Sequence, residues 1–207
     1  SYWKVILSKK EILESELVIL ANSFDVKDFV NGLEKIKKVR GQILYYPSDK
    51  FPTKIENVIL HEDGYIIPDV DDMHIIGSTF DPYDSSTDLN IEHNVYLLQK
   101  IKNLFPEIDP EDGRKMRGRV SFRAMSSDHL PIIGPVPNGV EFQKDYSDLW
   151  KANIYKDYPD GKYLPGLYVS CAHGSKGILN SYLAANVLSA MLTNEASPSS
   201  ESLVEQM

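Results

Sequence analysis

The turn Gly174-Ser175-Lys176-Gly177 carries the clearest chemical signal in the sequence, because an apolar strand precedes it and an apolar helix follows it. The first turn of a helix exposes unpaired N–H groups and a partial positive charge. Glycine lets a ligand approach the backbone closely, and Lys176 adds a cation. Such a turn suits a phosphate, a carboxylate or an electron-rich ring oxygen. A tight turn that needs glycine only for its geometry explains the same residues equally well.

A second signal is a basic strand in an otherwise acidic chain. Its cations are Arg114, Lys115, Arg117, Arg119 and Arg123. Arg117, Arg119 and Arg123 share parity, so a straight strand places them on one face. For Arg114 and Lys115 a solvated surface is the favoured interpretation. Arg123 differs because it precedes an irregular segment, residues 126–135, near which an arginine needs a partner if it is buried.

Other catalytic patterns are absent from the sequence. No pair of the five histidines has metal-ligand spacing, and one cysteine supports no zinc site. The chain also lacks Gly-x-Ser-x-Gly, the phosphate-binding Gly-x-x-x-x-Gly-Lys-Ser/Thr and the dinucleotide-binding Gly-x-Gly-x-x-Gly. His129 and His173 lie in the two segments described above. We therefore predict no metal site.

Composition limits the possible partners and the compartment. The 207 residues include 22 Lys plus Arg against 30 Asp plus Glu, a formal net charge of −8. This balance argues against holding nucleic acid by overall charge, but not against a local basic patch. No apolar run approaches the ~20 residues that span a bilayer, so no membrane partner is predicted. The single cysteine, Cys171, cannot form an internal disulfide, and a reducing cytoplasm fits best.

The elements that must position these residues follow from hydrophobic periodicity. Strands are predicted over residues 2–7, 17–21, 39–47, 57–61, 65–68, 73–79, 116–122 and 166–171, and the run 17–21 is expected to be buried on both faces. The three strands between residues 57 and 79 predict an antiparallel meander, with Asp63-Gly64 at its first turn. Helices are predicted over residues 25–38, 88–105 and 177–193, the second capped by Ser86 or Thr87. Residues 136–165 are predicted to be mostly loop, with some helix near residues 146–150.

Seven short motifs in a fixed order resemble the D-amino-acid-oxidase/glycine-oxidase superfamily of FAD-dependent amine oxidases. They are residues 18–22 (VILAN), 39–42 (VRGQ), 63–68 (DGYIIP), 75–78 (IIGS), 118–124 (GRVSFRA), 128–134 (DHLPIIG) and 174–177 (GSKG). The stretch from Arg123 to Pro137 narrows the resemblance to the flavin-dependent half of the bifunctional enzymes that make 5-methylaminomethyl-2-thiouridine in tRNA. The resemblance spans nearly the whole chain.

The resemblance implies an α+β fold, in which an antiparallel-sheet substrate domain of the D-amino-acid-oxidase type joins partial pieces of an FAD-binding α/β domain. The expected division assigns residues 1–24 and 166–195 to the FAD-binding pieces, 25–165 to the substrate domain and 196–207 to a tail. The family's Gly-x-Gly-x-x-Gly would precede residue 1. The chain is therefore expected to be a fragment of a longer enzyme whose other half is a fused methyltransferase.

The resemblance also implies a reaction and partners. Such enzymes use FAD to oxidise the carboxymethylaminomethyl group of the wobble uridine in tRNA, and hydrolysis of the imine leaves aminomethyl-uridine and glyoxylate. A free-standing oxidase of glycine-like small amines, and a fragment without catalysis of its own, are the alternatives. Lys35, Lys37, Lys38 and Arg40 form a further basic cluster that could meet RNA phosphates, although a solvated helix face is favoured.

The site residues that the resemblance implies fall into two groups. Arg123 would grip the substrate carboxylate, with Tyr65 near the substrate, and Lys176, where the family usually has arginine, is assigned to substrate and cofactor alike. The cofactor-binding residues would be Ala21, Asn22, Gly41, Gln42, Gly174, Ser175, Lys176 and Gly177. The positive end of the last helix would stabilise negative charge on the reduced flavin ring. Because the flavin carries the redox step, no catalytic side chain is assigned.

Overall fold

The computed structural model describes residues 2–7, 11–33, 35–61 and 63–200. Its strands within these ranges are β1 (Trp3–Ile6), β2 (Ile12–Ser15), β3 (Val18–Leu20), β4 (Lys37–Pro47), β5 (Leu60–His61), β6 (Tyr65–Val70), β7 (Met73–Gly77), β8 (Arg117–Met125), β9 (Ile132–Pro137) and β10 (Tyr163–Cys171). The α-helices are α1 (Ile91–Ile101), α2 (Gly139–Asp145) and α3 (Gly177–Thr193), and 3-10 helices cover Ser23–Asp28, Ser48–Lys50, Pro110–Lys115, Leu149–Lys151 and Gly174–Lys176. This mixture of helices and mainly antiparallel sheets confirms the predicted α+β class.

The chain divides into two compact units, one formed by residues 1–37 with 124–207 and the other by residues 38–123. The domain boundaries predicted from the sequence lie elsewhere, at 24/25 and 165/166. Residues 124–165 join the first unit because β9 pairs antiparallel with β10, from Ile132 opposite Cys171 to Pro135 opposite Tyr168. The 3-10 helix Ser23–Asp28 also packs against β10 and so falls in the same unit.

The first unit contains a β1–β2 hairpin and a three-stranded sheet in the order β3-β10-β9. β3 and β10 are parallel, with Leu20 opposite Val169, so the two strands end at the same edge of the sheet. One apolar core gathers around β10 and another lies where α3 packs on β9. The cores include Val26, Val136, Leu167, Val169 and Cys171 in the first, and Ile133, Ala184, Val187 and Leu188 in the second.

The prediction that residues 17–21 are buried on both faces is wrong. β3 is an edge strand of its sheet, and Ile19 is 42% exposed. An apolar groove of about 560 Å³ lies along the strand, lined by residues of β1 and β3 together with Ala21, Asn22, Phe29 and Leu167. In this chain, therefore, apolar side chains of β3 contact solvent.

The second unit is built on a five-stranded sheet in the order β5-β6-β7-β4-β8. β5, β6 and β7 form the predicted antiparallel meander, with Leu60 opposite Ile66 and Ile66 opposite Ile76. The amphipathic helix α1 packs on this sheet and closes the core of the unit. That core includes Leu44, Ile66, Ile76, Leu97, Leu98 and Ile101.

The helix α1 is shorter than the predicted range 88–105. It begins after Asn90, whose side-chain oxygen accepts a hydrogen bond from the Glu92 amide at 2.9 Å. The predicted caps Ser86 and Thr87 are wrong. The carbonyls of Ser86 and Asp88 accept hydrogen bonds from the buried Arg40 guanidinium, and this fixes residues 86–88 outside the helix.

Two further predictions change in the structure. The helix predicted over residues 25–38 is only a 3-10 helix that ends at Asp28, because Gly32 adopts a φ of +94° and β4 begins at Lys37. Residues 136–165 are more regular than predicted: β9 continues to Pro137, and helices cover Gly139–Asp145 and Leu149–Lys151. None of the helices in the described ranges is long and apolar enough to cross a membrane.

Candidate functional site

The Arg123 guanidinium is the most distinctive charged group in the second unit. It lies near the end of β8, where Nη2 donates to the Ser78 hydroxyl at 2.6 Å and Nη1 donates to the Thr79 carbonyl at 3.3 Å. Burial lowers the pKa of Arg123 from its usual value, and the nearby Tyr65 phenol opposes that shift. Arginine still carries its charge at neutral pH. A positive charge is thus held, partly desolvated, against neutral partners.

Arg123 has no carboxylate within 4 Å among the described residues, although its guanidinium is half-buried. A guanidinium has five N–H donors, and hydrogen bonds to Ser78 and Thr79 use only two of them. Partly buried cations are normally paired, because desolvation of an unpaired charge is costly. The remaining donors of Arg123 therefore suit an external anion, and the planar fork favours a carboxylate or a phosphate.

Two aromatic side chains border Arg123. Tyr65 on β6 lies opposite Gly77 on β7, and a Cβ at Gly77 would come within 2.6 Å of the Tyr65 hydroxyl. Phe80 places its ring centroid 6.0 Å from Arg123 Cζ and is 55% exposed. Tyr65 is close enough to Arg123 to act electrostatically on its guanidinium. The contact of Tyr65 with a substrate, which the resemblance implied, stays a prediction.

The segment Arg40-Gly41-Gln42 sends alternate side chains to different surroundings. Arg40 and Gln42 are fully buried. Arg40 is ion-paired with Asp84 at 3.3 Å, and the Gln42 amide nitrogen donates to the Asn90 carbonyl and the Asn94 side chain, both at 2.7 Å. Gly41 lies against the Arg123 guanidinium instead. The Gln42 carboxamide is therefore committed to the core of the unit, and a cofactor contact of Gly41 or Gln42 stays a prediction.

In the first unit, the other predicted cofactor residues gather at one edge of the sheet. Ala21 and Asn22 follow β3 and are exposed, while residues 172–174 follow the parallel strand β10. Ala172 and Gly174 adopt φ values of +56° and +61°, so the chain turns sharply before α3 begins. The 3-10 helix Gly174–Lys176 then leads into α3, with Ser175 and Lys176 exposed.

The two glycines of this turn separate the two explanations offered for it. Gly174 is required by its positive φ, which glycine adopts without strain. Gly177 is different: its φ of −54° is helical, and a Cβ there would meet only the His173 Cβ, at 3.8 Å. Nothing in the chain's own geometry requires glycine at Gly177. The free space above it favours close approach of a ligand to the first turn of α3.

Two neighbours of this edge were not assigned roles from the sequence. The Ser170 hydroxyl and His173 Nε2 lie 3.1 Å apart, and burial lowers the pKa of His173. His173 Nδ1 is buried without a hydrogen-bond partner among the described residues.

Burial raises the pKa of the Cys171 thiol to about 11, which makes it an unreactive core side chain. His129 is exposed, on a turn with a φ of +65°.

Two observations make this edge suitable for the ring of FAD. Residues at the start of α3, where helices leave N–H groups unpaired, are exposed, and Gly177 leaves space because it lacks a side chain. Residues Ala21, Asn22 and Gly174 to Gly177 would border the ring, and the positive helix end would face the part that gains negative charge on reduction. No group of three or more His, Cys, Asp or Glu within the described ranges could hold a metal ion.

Comparison with known sequences gives a consistent assignment. The family model described as DAO, FAD dependent oxidoreductase, matches residues 2–191. The chain is 31% identical to the tRNA 5-methylaminomethyl-2-thiouridine biosynthesis bifunctional protein MnmC of Leptospira borgpetersenii serovar Hardjo-bovis (strain JB197), over 100% of the chain and 33% of that protein. It is 33% identical to the MnmC protein of Pseudomonas syringae pv. tomato (strain ATCC BAA-871 / DC3000), over 98% and 32%. The chain thus spans about a third of the length of these relatives.

Solved structures show the same fold. Glycine oxidase from Geobacillus kaustophilus superposes with a TM-score of 0.67 at 16% identity, covering 97% of the chain and 47% of the oxidase. Iminodiacetate oxidase (IdaA) from Chelativorans sp. BNC1 gives a TM-score of 0.63 at 14% identity, covering 97% and 50%. These likenesses concern the fold, whereas the family match covers the strands, the Arg123 region and the start of α3 together. The chain therefore belongs to the DAO family of FAD-dependent oxidoreductases, whose cofactor is the FAD expected from the sequence.

Proposed function

We propose that this chain, as part of a longer protein, serves the oxidative removal of the carboxymethyl group from carboxymethylaminomethyl-uridine at the wobble position of tRNA. The products are aminomethyl-uridine and glyoxylate. The observation that carries the proposal is Arg123, a half-buried guanidinium with donors to spare and no carboxylate partner in the described part of the chain. The substrate arm is a glycine unit, and its carboxylate matches that fork.

Arg123 would bind the substrate carboxylate and so fix which C–N bond is presented for oxidation. Tyr65 would limit the space beside that carboxylate, and the exposed Lys176 would add positive charge at the start of α3. FAD, when bound, supplies the acceptor for the two electrons of the oxidised C–N bond, and water hydrolyses the resulting imine to aminomethyl-uridine and glyoxylate. The N-terminus of α3 would stabilise the negative charge that accompanies this step.

The RNA partner and a fused methyltransferase half are part of the proposal. Its support is the name of the relatives, which describes bifunctional proteins of tRNA 5-methylaminomethyl-2-thiouridine biosynthesis. Within this chain, Arg117 and Arg119 are exposed on β8 and have no ion-pair partner among the described residues. Arg114 would contribute less to RNA binding than Arg117 and Arg119, because it already forms ion pairs with Glu92 at 2.6 Å and Glu111 at 2.7 Å.

The test gives the complete protein, loaded with FAD, two substrates in parallel: tRNA carrying carboxymethylaminomethyl-uridine, and free glycine. The tRNA is digested to nucleosides, which are separated and identified by mass spectrometry, and the glyoxylate released is quantified. Conversion of the tRNA nucleoside with matching glyoxylate supports the proposal. Turnover of glycine alone, with intact modified tRNA, would replace it by a free-standing oxidase of glycine-like amines. Absence of both reactions would reject an amine oxidase role.

A further inference from the structure

We infer that Gly41 is a positioning residue for carboxylate recognition: its missing side chain leaves the space in which the Arg123 guanidinium lies. Ser78 and Thr79 then fix the orientation of the guanidinium in that space. This inference rests on the proposed function of Arg123, and it names the feature of β4 on which that function depends. Gly41, Ser78 and Thr79 together are called the Arg123 socket.

The contact distances define the socket. A Cβ at Gly41 would lie 2.3 Å from Arg123 Nη1, 2.8 Å from Cζ and 2.9 Å from Nη2, and these are the three heavy atoms nearest to it. All three belong to the guanidinium. Ordinary contacts between such atoms are about 3.5–4.0 Å. An alanine side chain and the guanidinium therefore cannot both occupy their places, and one of them must move by roughly 1 Å.

The backbone of β4 is held by hydrogen bonds on both sides of Gly41. Arg40 and Gln42, on either side of Gly41, are fully buried in hydrogen-bonded positions. The backbone N–H of Gln42 donates to the Thr79 hydroxyl at 2.9 Å, and the backbone N–H of Thr79 donates to the Gln42 backbone carbonyl at 3.0 Å. These bonds hold both walls of the socket. A side chain at Gly41 would consequently displace the flexible end of Arg123 and leave the strand where it is.

The backbone conformation of Gly41 does not require glycine. Its φ is outside the left-handed region, and it lies within a regular strand, where glycine is unfavourable because it loses entropy and packs nothing. Its neighbour Gly118 contrasts with it, since a Cβ there would lie 2.3 Å from the Ile43 carbonyl oxygen, a backbone atom. Alanine at Gly118 would therefore disturb the sheet, whereas the nearest obstacle to alanine at Gly41 is the end of a flexible side chain.

Displacement of the guanidinium would act on the substrate carboxylate. The socket sets the direction of the N–H donors that Ser78 and Thr79 do not use. A displacement of about 1 Å can lower the rate of a well-aligned reaction by about 100-fold. For Gly41→Ala we expect a 10- to 100-fold lower kcat/KM, mainly through KM, with the carboxylate substrate. A substrate analogue whose carboxylate is a methyl ester makes no fork with Arg123, so its kinetics should change less than 2-fold.

The experiment compares the wild type with Gly41→Ala, Arg123→Lys, the double variant and Gly139→Ala, all in the complete FAD-loaded protein. Gly139 is the matched control, because a Cβ there would meet nothing within 4 Å. Lysine ends in a more compact head than arginine. In the Arg123→Lys background, Gly41→Ala should therefore add no more than a 2-fold loss.

A second readout does not depend on turnover. The protein is labelled with ¹⁵N-arginine and observed by NMR. The Arg123 Nε–Hε resonance is identified by its disappearance in Arg123→Lys, and acetate is titrated as the probe. We expect acetate to shift this signal in the wild type and in Gly139→Ala, with binding at least 10-fold weaker in Gly41→Ala. Equal acetate affinity and equal KM in the wild type and Gly41→Ala would overturn the inference.

The failure of the inference is distinguishable from failure of the proposed function. If Arg123→Lys raises KM and weakens acetate binding while Gly41→Ala does neither, Arg123 still binds carboxylate and only the socket is rejected. If acetate does not shift the Arg123 signal and Arg123→Lys leaves the kinetics unchanged, the carboxylate role itself is rejected, and the socket falls with it.

Discussion

Arg40 and Gln42, two residues apart on β4, are joined by a 3.1 Å hydrogen bond from Arg40 Nη2 to Gln42 Oε1, and both side chains are 0% exposed. Arg40 also donates to the Ser86 and Asp88 carbonyls and to His93 Nδ1. This network ties the segment before α1 to the central part of the second unit's sheet. The basic cluster predicted at residues 35–40 is therefore not one surface, since Arg40 is in the core.

Arg40→Met is expected to be strongly destabilising. The substitution leaves the Ser86 and Asp88 carbonyls without their donor and removes the partner of the partly exposed Asp84, and each buried group left unsatisfied costs about 1–3 kcal/mol. The free energy of unfolding is measured by urea denaturation. Lys35→Met, at an exposed position, is the control and should change it by less than about 0.5 kcal/mol. A loss for Arg40→Met no larger than the control would contradict the role of the network.

Arg123→Ala is expected to lower kcat/KM of the complete enzyme by about 10- to 100-fold, because hydrogen bonds to charged groups contribute roughly 1.5–3 kcal/mol. The flavin content should not change. Steady-state kinetics with the carboxylate substrate and the flavin absorbance of the purified variant check the two statements. Ser78→Ala removes one guanidinium partner only and should give a smaller loss of the same kind. Unchanged kinetics for Arg123→Ala would reject it as the carboxylate clamp.

Sequence reasoning was most successful where local pattern and tertiary environment agree. The meander around Asp63-Gly64 and the strand, turn and helix around residues 166–193 are as predicted, because turn chemistry and periodicity act locally. The exposure of β3 was missed, since a continuous apolar run does not reveal whether its sheet has a neighbour on that side.

The candidate site was predictable only where local sequence pattern indicates its residues. The irregular segment after Arg123 set it apart from the other cations of the cluster, and the structure half-buries its guanidinium. Ser78 and Thr79 were not assigned to Arg123, because they follow β7 and are more than forty residues before Arg123 in the sequence. The role of Asn90 as the cap of α1 was hidden behind Ser86 and Thr87, which are equally good capping types. Long-range partners of this kind are set by the fold.

Gly177→Ala is expected to weaken FAD binding to the complete protein by about 10-fold, because a methyl group would occupy the space at the first turn of α3. The stability of the apoprotein should rise slightly, since alanine within a helix is more stabilising than glycine by about 0.5–1 kcal/mol. Flavin titration followed by fluorescence and thermal unfolding of the apoprotein check both. Gly139→Ala is again the control. Undiminished FAD affinity would favour the explanation in which the turn needs glycine for geometry alone.

The 207-residue chain by itself is expected to bind FAD weakly or not at all, because it contains no Gly-x-Gly-x-x-Gly for the dinucleotide. The purified chain is mixed with FAD, desalted and examined for flavin absorbance near ~450 nm. A colourless protein is the expected result. A yellow protein with one FAD per chain would show that the edge formed by β3, β10 and α3 is sufficient for binding.

His173 is expected to make stability depend on pH. Burial lowers its pKa in the folded state, so below pH 6.5 the unfolded chain binds more protons and stability falls. The contribution is fully present above pH 6.5 and is lost as the pH falls through the folded-state pKa. Urea unfolding between pH 5 and 8 should show a flatter profile for His173→Asn than for the wild type.

Arg117 and Arg119 are expected to contact RNA phosphates if the proposed function is correct. Both are exposed on one face of β8, and Arg123 follows at the same parity. Each phosphate contact releases counterions, so the double substitution Arg117→Glu/Arg119→Glu should weaken tRNA binding and reduce the salt slope by about 2. Lys50→Glu/Lys54→Glu makes the same change in charge at other exposed positions of the second unit and is the control. Affinity is measured by fluorescence anisotropy with labelled tRNA from 50 to 200 mM salt. Equal losses for the two double variants would reduce the effect to net charge and would remove β8 from the RNA surface.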